Sequence, residues 1–445
     1  MALRYGSKNA SSLRYNAHSA SVLKYDGFTM SVSGYDENAT PAEYFVFTLL
    51  DDNTYSIRVK SINNVPSEVV IPSVYNGKAV TKIENCAFFD MRQFMACNLI
   101  ESVVIPNTIT YIGTGAFWQC SNLLNVTFPD SVKEMGCNPH PFAMTAFSEN
   151  AENWVDDVLY IGNHLIETKN TISGKYTIKD GTIAITGYAF NNRDNLTDVI
   201  MPDSVESIGD CAFDNCYRLR NINISNKTTT IGDLAFGYCP DLTHLHIPAS
   251  VTSIGKELAT FVTSIITCEA TEKPSGWADD WCNEYQTVVW GYSLDIFTFT
   301  EQADGTYSVK ATDVSNLPSV VCIPFTHNGK AVTAIDYSAF YGSPNLERVV
   351  IPEGITVIDN NAFEECRKLK EINLPESLTT INASAFGYCT ILTSITIPSA
   401  VDYIGGWAFY NCNALTINCI AYRQPSDWES NWNPDNRPVN WGYTG

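Results

Sequence analysis

His244-Leu245-His246 is the stretch of this chain whose spacing best suits metal chemistry. Residues two apart on a strand point the same way, so both imidazoles would share one side while Leu245 and Ile247 turn inward. A zinc site needs three or four ligands. One repeat earlier stand Asn221 and Asn223, and no third imidazole or carboxylate falls into line. The segment therefore predicts a polar face, and no metal or other cofactor is expected. Nucleophilic catalysis needs a serine or cysteine, a histidine and an orienting acid brought together. The six histidines lie beside no nucleophile-elbow or phosphate-loop sequence. Asp51-Asp52 and Asp279-Asp280 are isolated acidic pairs in turns, without the ligand spacing of a calcium loop. The expectation is no catalytic residue and no enzyme.

Charge narrows the partners. Lys and Arg number 27 against 48 Asp and Glu, a formal net charge of −21, which argues against nucleic acid and anionic membranes because phosphate binding relies on dense positive charge. No window approaches the roughly 20 consecutive apolar residues of a bilayer span, so no membrane insertion is expected. The opening Met1-Ala2-Leu3-Arg4-Tyr5 is followed by no apolar core, and the sequence as written predicts no secretory signal.

The elements that position these residues come from a short repeat. Ala-Phe recurs at 189, 212 and 235, then at 339, 362, 385 and 408, always 23 residues apart; a fixed period in the twenties marks a solenoid. In Ala212-Phe213-Asp214-Asn215-Cys216-Tyr217-Arg218-Leu219-Arg220-Asn221-Ile222-Asn223-Ile224 the Leu-x-x-Ile-x-Ile part alternates and predicts a half-buried strand. Ser204-Val205-Glu206-Ser207-Ile208-Gly209 predicts a second short strand closed by a turn, and Ala-Phe a helical or 3-10 turn that drops Phe into the core. One unit cannot bury its apolar side alone, but stacked units cover one another. Cys120, Cys216, Cys239, Cys366, Cys389 and Cys412 share one slot, three after the Phe. They predict a buried thiol column in which Cys acts as a small apolar residue.

The repeated Ile-Pro-x-x-Val-Thr-x-Ile-Gly-x-x-Ala-Phe-x-x-Cys-x-x-Leu pattern resembles the BspA-like leucine-rich repeat, over roughly residues 45–445. The resemblance implies a curved solenoid serving as a binding or adhesion surface, with no catalytic residues to carry over.

The array is duplicated. Thr54-Tyr55-Ser56-Ile57 through Asn76-Gly77-Lys78 is echoed by Thr306-Tyr307-Ser308-Val309 through Asn328-Gly329-Lys330, and Asn-Gly between apolar runs signals a hairpin. Lys273-Pro274-Ser275-Gly276-Trp277 to Tyr292 is matched by Gln424-Pro425-Ser426-Asp427-Trp428 to Tyr443. Trp277/Trp281 and Trp428/Trp432, four apart on a helical turn, would close the exposed solenoid ends. The fold class predicted is thus a repeat solenoid, mixed β with short helical or 3-10 turns, in two tandem arrays with β-hairpin N-caps and Trp-rich C-caps. Expected domains are an arm over 1–40, a first solenoid over 41–292 with an outward-bulging insertion near 137–188, and a second over 293–445.

Function is expected on the outward slots of the alternating strands: Asn221, Asn223, His244, His246, Arg348, Glu371, Asn373, Ser394 and Thr396 form the candidate ligand-binding ladder. Tyr238, Tyr341, Tyr388, Tyr410 and Trp118 offer a second, aromatic surface beside the Phe turns. The arm repeats every ten residues, with Leu3 and Tyr5, Leu13 and Tyr15, Leu23 and Tyr25; it is basic, unlike the rest. It reads as an attachment or oligomerisation segment. The expected function is non-catalytic recognition of a protein or glycan on a bacterial surface. Residues 1–40 would anchor the chain to a virion, such as a phage head or tail fibre, or support a homo-oligomer. A bacterial cell-surface adhesin and an intracellular scaffold are the alternatives, with cell surface or cytoplasm as the corresponding locations.

Overall fold

The computed structural model describes residues 38–136, 139–260 and 265–444, together with the backbone of three short arm strands, Arg14–Tyr15, Val22–Tyr25 and Phe28–Ser31. The arm strands pair antiparallel, with Tyr15 opposite Leu23 and Tyr25 opposite Phe28. Leu3, Tyr5 and Leu13 lie outside the described residues.

Each coil of the body contributes two parallel strands to two ladders. In the shorter ladder Ser207 pairs with Thr230 and Thr230 with Ser253, and in the second array Val357 pairs with Thr380 and Thr380 with Tyr403. This 23-residue register is the sequence period made physical. The second ladder, on the outward side, is interrupted: Leu196–Ile200 pairs with Asn221–Ile222 and His244–Ile247 with Ile265–Cys268, but among the described residues no strand pairing joins Asn221–Ile222 to His244–Ile247. In the regular coils Ala-Phe forms hydrogen-bonded turns; the short 3-10 segments sit at the caps and the insertion. Left-handed residues bracket the turn, Cys211 (φ 52°) and Asn215 (φ 59°) around Ala212-Phe213. The turn amides reach the next coil, as Phe213 N donates to Ala235 O at 2.8 Å.

This turn stacks the phenylalanines. Phe340, Phe363, Phe386 and Phe409 are fully buried, with successive centroids 5.1, 5.5 and 5.6 Å apart and rings within 5° of parallel. Burial is worth about 1.5–3 kcal/mol per ring, and each aromatic pair about 0.5–1.5 kcal/mol more. The thiol column lies alongside. Cys216, Cys239, Cys366 and Cys412 donate to the Phe carbonyl of the preceding coil at 3.0–3.1 Å. Thirteen cysteines are free thiols; Cys137 lies outside the described residues.

The Asn-Gly hairpins form as predicted. Tyr75 pairs with Lys78 across Asn76-Gly77 (φ 47° and 77°), and His327 with Lys330 across Asn328-Gly329 (φ 50° and 74°); two left-handed residues in succession match a type I′ turn. The C-caps close with Trp277 on Trp281 (4.7 Å) and Trp428 on Trp432 (4.9 Å). These pairs lack the helical turn expected for them: Trp277 makes a parallel bridge with Ile254, the other three sit at bends, and each lead indole donates to the coil below, Trp277 to Val251 O and Trp428 to Val401 O.

The insertion does not bulge outward as expected. Its hairpin, Val158–Ile161 with His164–Thr168, lies in the core. Strand alternation sends Leu159, Ile161 and Ile166 into the preceding core and Val158 and Leu165 into the following one. The second strand then pairs in parallel with Ala184–Ile185 and restarts the ladder. Among the described residues no helix is long and apolar enough to cross a membrane.

Candidate recognition surface

The strand faces of the two arrays meet different fates. At the junction Tyr292, 2% exposed, packs with Ile265, Cys322 and Val350. Its hydroxyl accepts from Cys322 N at 2.9 Å and donates to Cys322 O at 3.0 Å. Thr40 stands at the corresponding position of the first cap, where its Oγ1 accepts from Val70 N and its backbone N–H donates to Val70 O, both at 2.9 Å. The second array is thereby held across the outward face of the first. Arg220 crosses the seam to Glu376 (3.0 Å) and Glu353 (4.0 Å), and also meets Asp241 of its own array (3.7 Å).

This contact corrects the expected position of Asn221. It is buried, donating to Asp198 Oδ1 at 2.6 Å and across the seam to Glu353 O at 3.1 Å. His244 and His246 are half-buried in the wall of a cleft of about 720 Å³, opposite Phe297, Phe299, Phe325 and His327 of the second cap. Each places a ring nitrogen on Thr267 Oγ1, at 2.8 and 2.9 Å. Burial, and secondarily His246, holds His244 down at about 3. The far nitrogen of His246 lies 3.5 Å from Glu269, whose carboxyl is held below its usual range chiefly by that imidazole. Among the described residues no group of three or more His, Cys, Asp or Glu is placed to hold a metal.

Two further ladder residues have structural partners. Asn223 accepts from Met201 N (2.9 Å) and donates to Met201 O (2.7 Å); Asn373 does the same with Ile351, at the same two distances. Each amide replaces a missing strand neighbour where the ladder stops, satisfying backbone groups that would otherwise be orphaned. Their side chains are committed to the preceding coil rather than open to a ligand.

The remaining ladder residues lie together on the second array. Arg348 pairs with Glu371 at 3.2 Å. Ser394 is exposed and Thr396 half-buried. Sequence reasoning stopped there, yet the face continues: Asn418 donates to Ser394 Oγ at 3.1 Å and Asn440 to Asn418 Oδ1 at 2.9 Å. The period alone could have found these two. Strand pairing places Thr267 beside Val289 in the first array and Asn418 beside Asn440 in the second. The junction face therefore carries Ile265 and Val289 where the second array carries Thr416 and Asn440. The last coils of the first array are apolar there and engaged with Cys322 and Val350 of the second array's first coils, whereas the last coils of the second array present hydroxyls and amides. The aromatic edge is also in place, with Tyr238, Tyr341 and Tyr410 about two-fifths exposed. Its most exposed indole, Trp407, escaped the sequence reading.

The sequence pattern of the BspA type leucine rich repeat region occurs in six copies, over residues 88–140, 157–274 and 323–422. Among solved structures the chain is similar to a leucine rich cell surface protein from Faecalibacterium prausnitzii A2-165, at 23% identity over 92% of this chain and 99% of that one, with a TM-score of 0.26. It is similar to a leucine-rich repeat protein from Bacteroides capillosus ATCC 29799 at 30% identity, covering 29% of this chain and 96% of that one, TM-score 0.26. The pneumococcal vaccine antigen PcpA aligns at 16% identity over 93% of this chain and 100% of that one, TM-score 0.22. No curated protein matches. With the repeat copies spanning more than half of the residues, and with the 23-residue coil, its Ala-Phe turn and its thiol column inside them, this chain belongs to the BspA-type leucine-rich repeat family.

Proposed function

We propose that this chain is a non-catalytic recognition and adhesion protein that presents the strand face of its second array to a protein or glycan on a bacterial surface. One observation carries the reading: equivalent positions of the two arrays differ, Ile265 being buried and Val289 half-buried against the junction while Ser394, Thr396, Thr416 and Asn440 line the open face of the last coils. A face of amides and hydroxyls, each able to donate and accept, suits a polar partner. In the finer form of the proposal residues 1–40 anchor the chain to a virion or a comparable assembly. The arm's ten-residue Leu and Tyr period and its basic residues Arg4, Lys8, Arg14 and Lys24 support this, because neither feature belongs to the acidic 23-residue array.

The test compares the full chain with a form lacking residues 1–40, by light scattering and by co-sedimentation with host cells and with purified particles. Both forms should sediment with cells, and only the full chain with particles. Failure of both forms to bind cells would remove the recognition reading, and equal behaviour towards particles would remove the anchor.

A further inference from the structure

The turn edge of the second array holds a built aromatic ledge. Trp407 fills the slot immediately before Ala408-Phe409, where other coils carry Cys211, Leu234, Ser338, Asn361 or Ser384. Its backbone is left-handed (φ 61°), a region bulky residues rarely adopt, and its side chain is 57% exposed. The indole is nevertheless fixed. With the Asn431 amide assigned the orientation that satisfies both of its neighbours, its oxygen accepts from Trp407 Nε1–H at 3.1 Å and its nitrogen donates to Glu429 Oε2 at 3.3 Å, while Glu429 Oε1 accepts from Tyr403 Oη at 2.8 Å. Gly406 makes the relay possible. A Cβ there would lie 2.7 Å from the Asn431 amide and 2.8 Å from the Glu429 carboxylate.

Neighbouring rings extend the ledge. Tyr410 lies 6.3 Å from Trp407 at 39°, and Tyr388 stands perpendicular to Tyr410 at 5.3 Å. The Arg367 guanidinium sits 5.8 Å from the centre of the Tyr388 ring. An exposed indole that is already immobilised loses little entropy on binding, which is the chief advantage of rigid aromatic anchors.

We propose that this ledge binds a neutral glycan, an inference that rests on the recognition reading and adds to its strand face a second contact surface, on the turn edge, with a named ligand class. A pyranose ring offers a face of C–H groups that matches the electron-rich face of an indole. Its hydroxyls find acceptors in Glu429 and a donor in Arg367. Proline-rich peptides also dock on aromatic grooves, but an indole that reads such a peptide donates its N–H to a peptide carbonyl, and this N–H is already given to Asn431. The net charge of −21 and the nearby Glu364, Glu365 and Glu429 oppose an anionic polymer.

Affinity electrophoresis through gels containing glycogen, barley β-glucan or galactomannan tests this, with polygalacturonate and a proline decamer as contrasting probes. Retardation by at least one neutral polymer is expected. Trp407→Ala should weaken it at least tenfold, Trp407→Phe by threefold or less, and Tyr422→Ala, on another edge, not at all. Circular dichroism of each variant separates loss of binding from loss of fold. The proposal is overturned if none of the neutral polymers retards the folded chain, if folded Trp407→Ala binds like wild type, or if the proline decamer alone binds. Co-sedimentation with cells separates the two readings. A chain that binds cells but no neutral polymer loses the ledge assignment and keeps its recognition role.

Discussion

Tyr292 and Cys322 lie on opposite sides of the array junction and exchange two hydrogen bonds through one phenol oxygen, which accepts from Cys322 N at 2.9 Å and donates to Cys322 O at 3.0 Å. Among the described residues few other polar contacts cross this seam, and those of Arg220 with Glu353 and Glu376 are partly solvated ion pairs of small individual worth. The buried contact across the junction is thus a side chain pairing with a strand backbone.

Tyr292→Phe keeps the ring and strands both backbone groups. Unsatisfied buried polar groups cost about 1–3 kcal/mol each, so urea unfolding should report a loss of about 1–3 kcal/mol or more. Small-angle scattering should show a broader distribution of inter-array distances. A variant with unchanged scattering and stability would mean that the ion pairs of Arg220 hold the junction instead.

The thiols give an alkaline signature. Burial pushes Cys268, Cys322, Cys366 and Cys419 up to about 12, from an ordinary value of 9.0. The folded state then holds protons that the unfolded chain releases. The stabilisation is complete below pH 9 and falls as pH rises towards 12, by about 1.4 kcal/mol per pH unit for each thiol. Native-state labelling with a maleimide should modify Cys86 and Cys282, the half-exposed pair, and leave the eleven buried cysteines among the described residues untouched until the chain unfolds. Rapid modification of Cys366 at pH 8 in folded protein would contradict the column.

The acid side depends on His244. Its folded value near 3 lies below the ordinary 6.5 because burial disfavours the cation. The unfolded chain therefore takes up a proton first, and stability present above pH 6.5 is lost as pH falls towards 3. His244→Asn cannot take up that proton, so its urea midpoint should vary less between pH 6.5 and 4 than that of wild type. Parallel curves would place the titrating group elsewhere.

How much of this was legible follows from where each contact originates. The Phe and thiol columns were readable because their partners are the same slot one period away, and the Asn76-Gly77 turn because its chemistry is local. The covering of Asn221 was not, because it depends on Glu353 in another array. Asn223 and Asn373 looked like solvent-facing ladder residues, since a sequence shows alternation but not where strand pairing ends. Trp407 was hidden because the residues that immobilise it, Glu429 and Asn431, come from the cap and fall outside the repeat.

The two kinds of asparagine and serine on the second array should therefore separate under substitution. Asn373 substitutes for a strand neighbour, accepting from Ile351 N and donating to Ile351 O. Asn373→Ala leaves both groups to water or to nothing, and Asn373→Asp retains the acceptor but sets a carboxylate against a carbonyl. Each should cost about 1–2 kcal/mol in urea unfolding, with the aspartate variant the worse of the two. Ser394 sits at the exposed end of the amide chain from Asn440 and Asn418. Ser394→Ala removes one acceptor at the surface, so stability should move by less than about 0.5 kcal/mol, while cell co-sedimentation should weaken. If Asn373→Ala left stability intact and abolished binding, the roles assigned to the two positions would be reversed, and the recognition face would extend back towards Arg348 and Glu371.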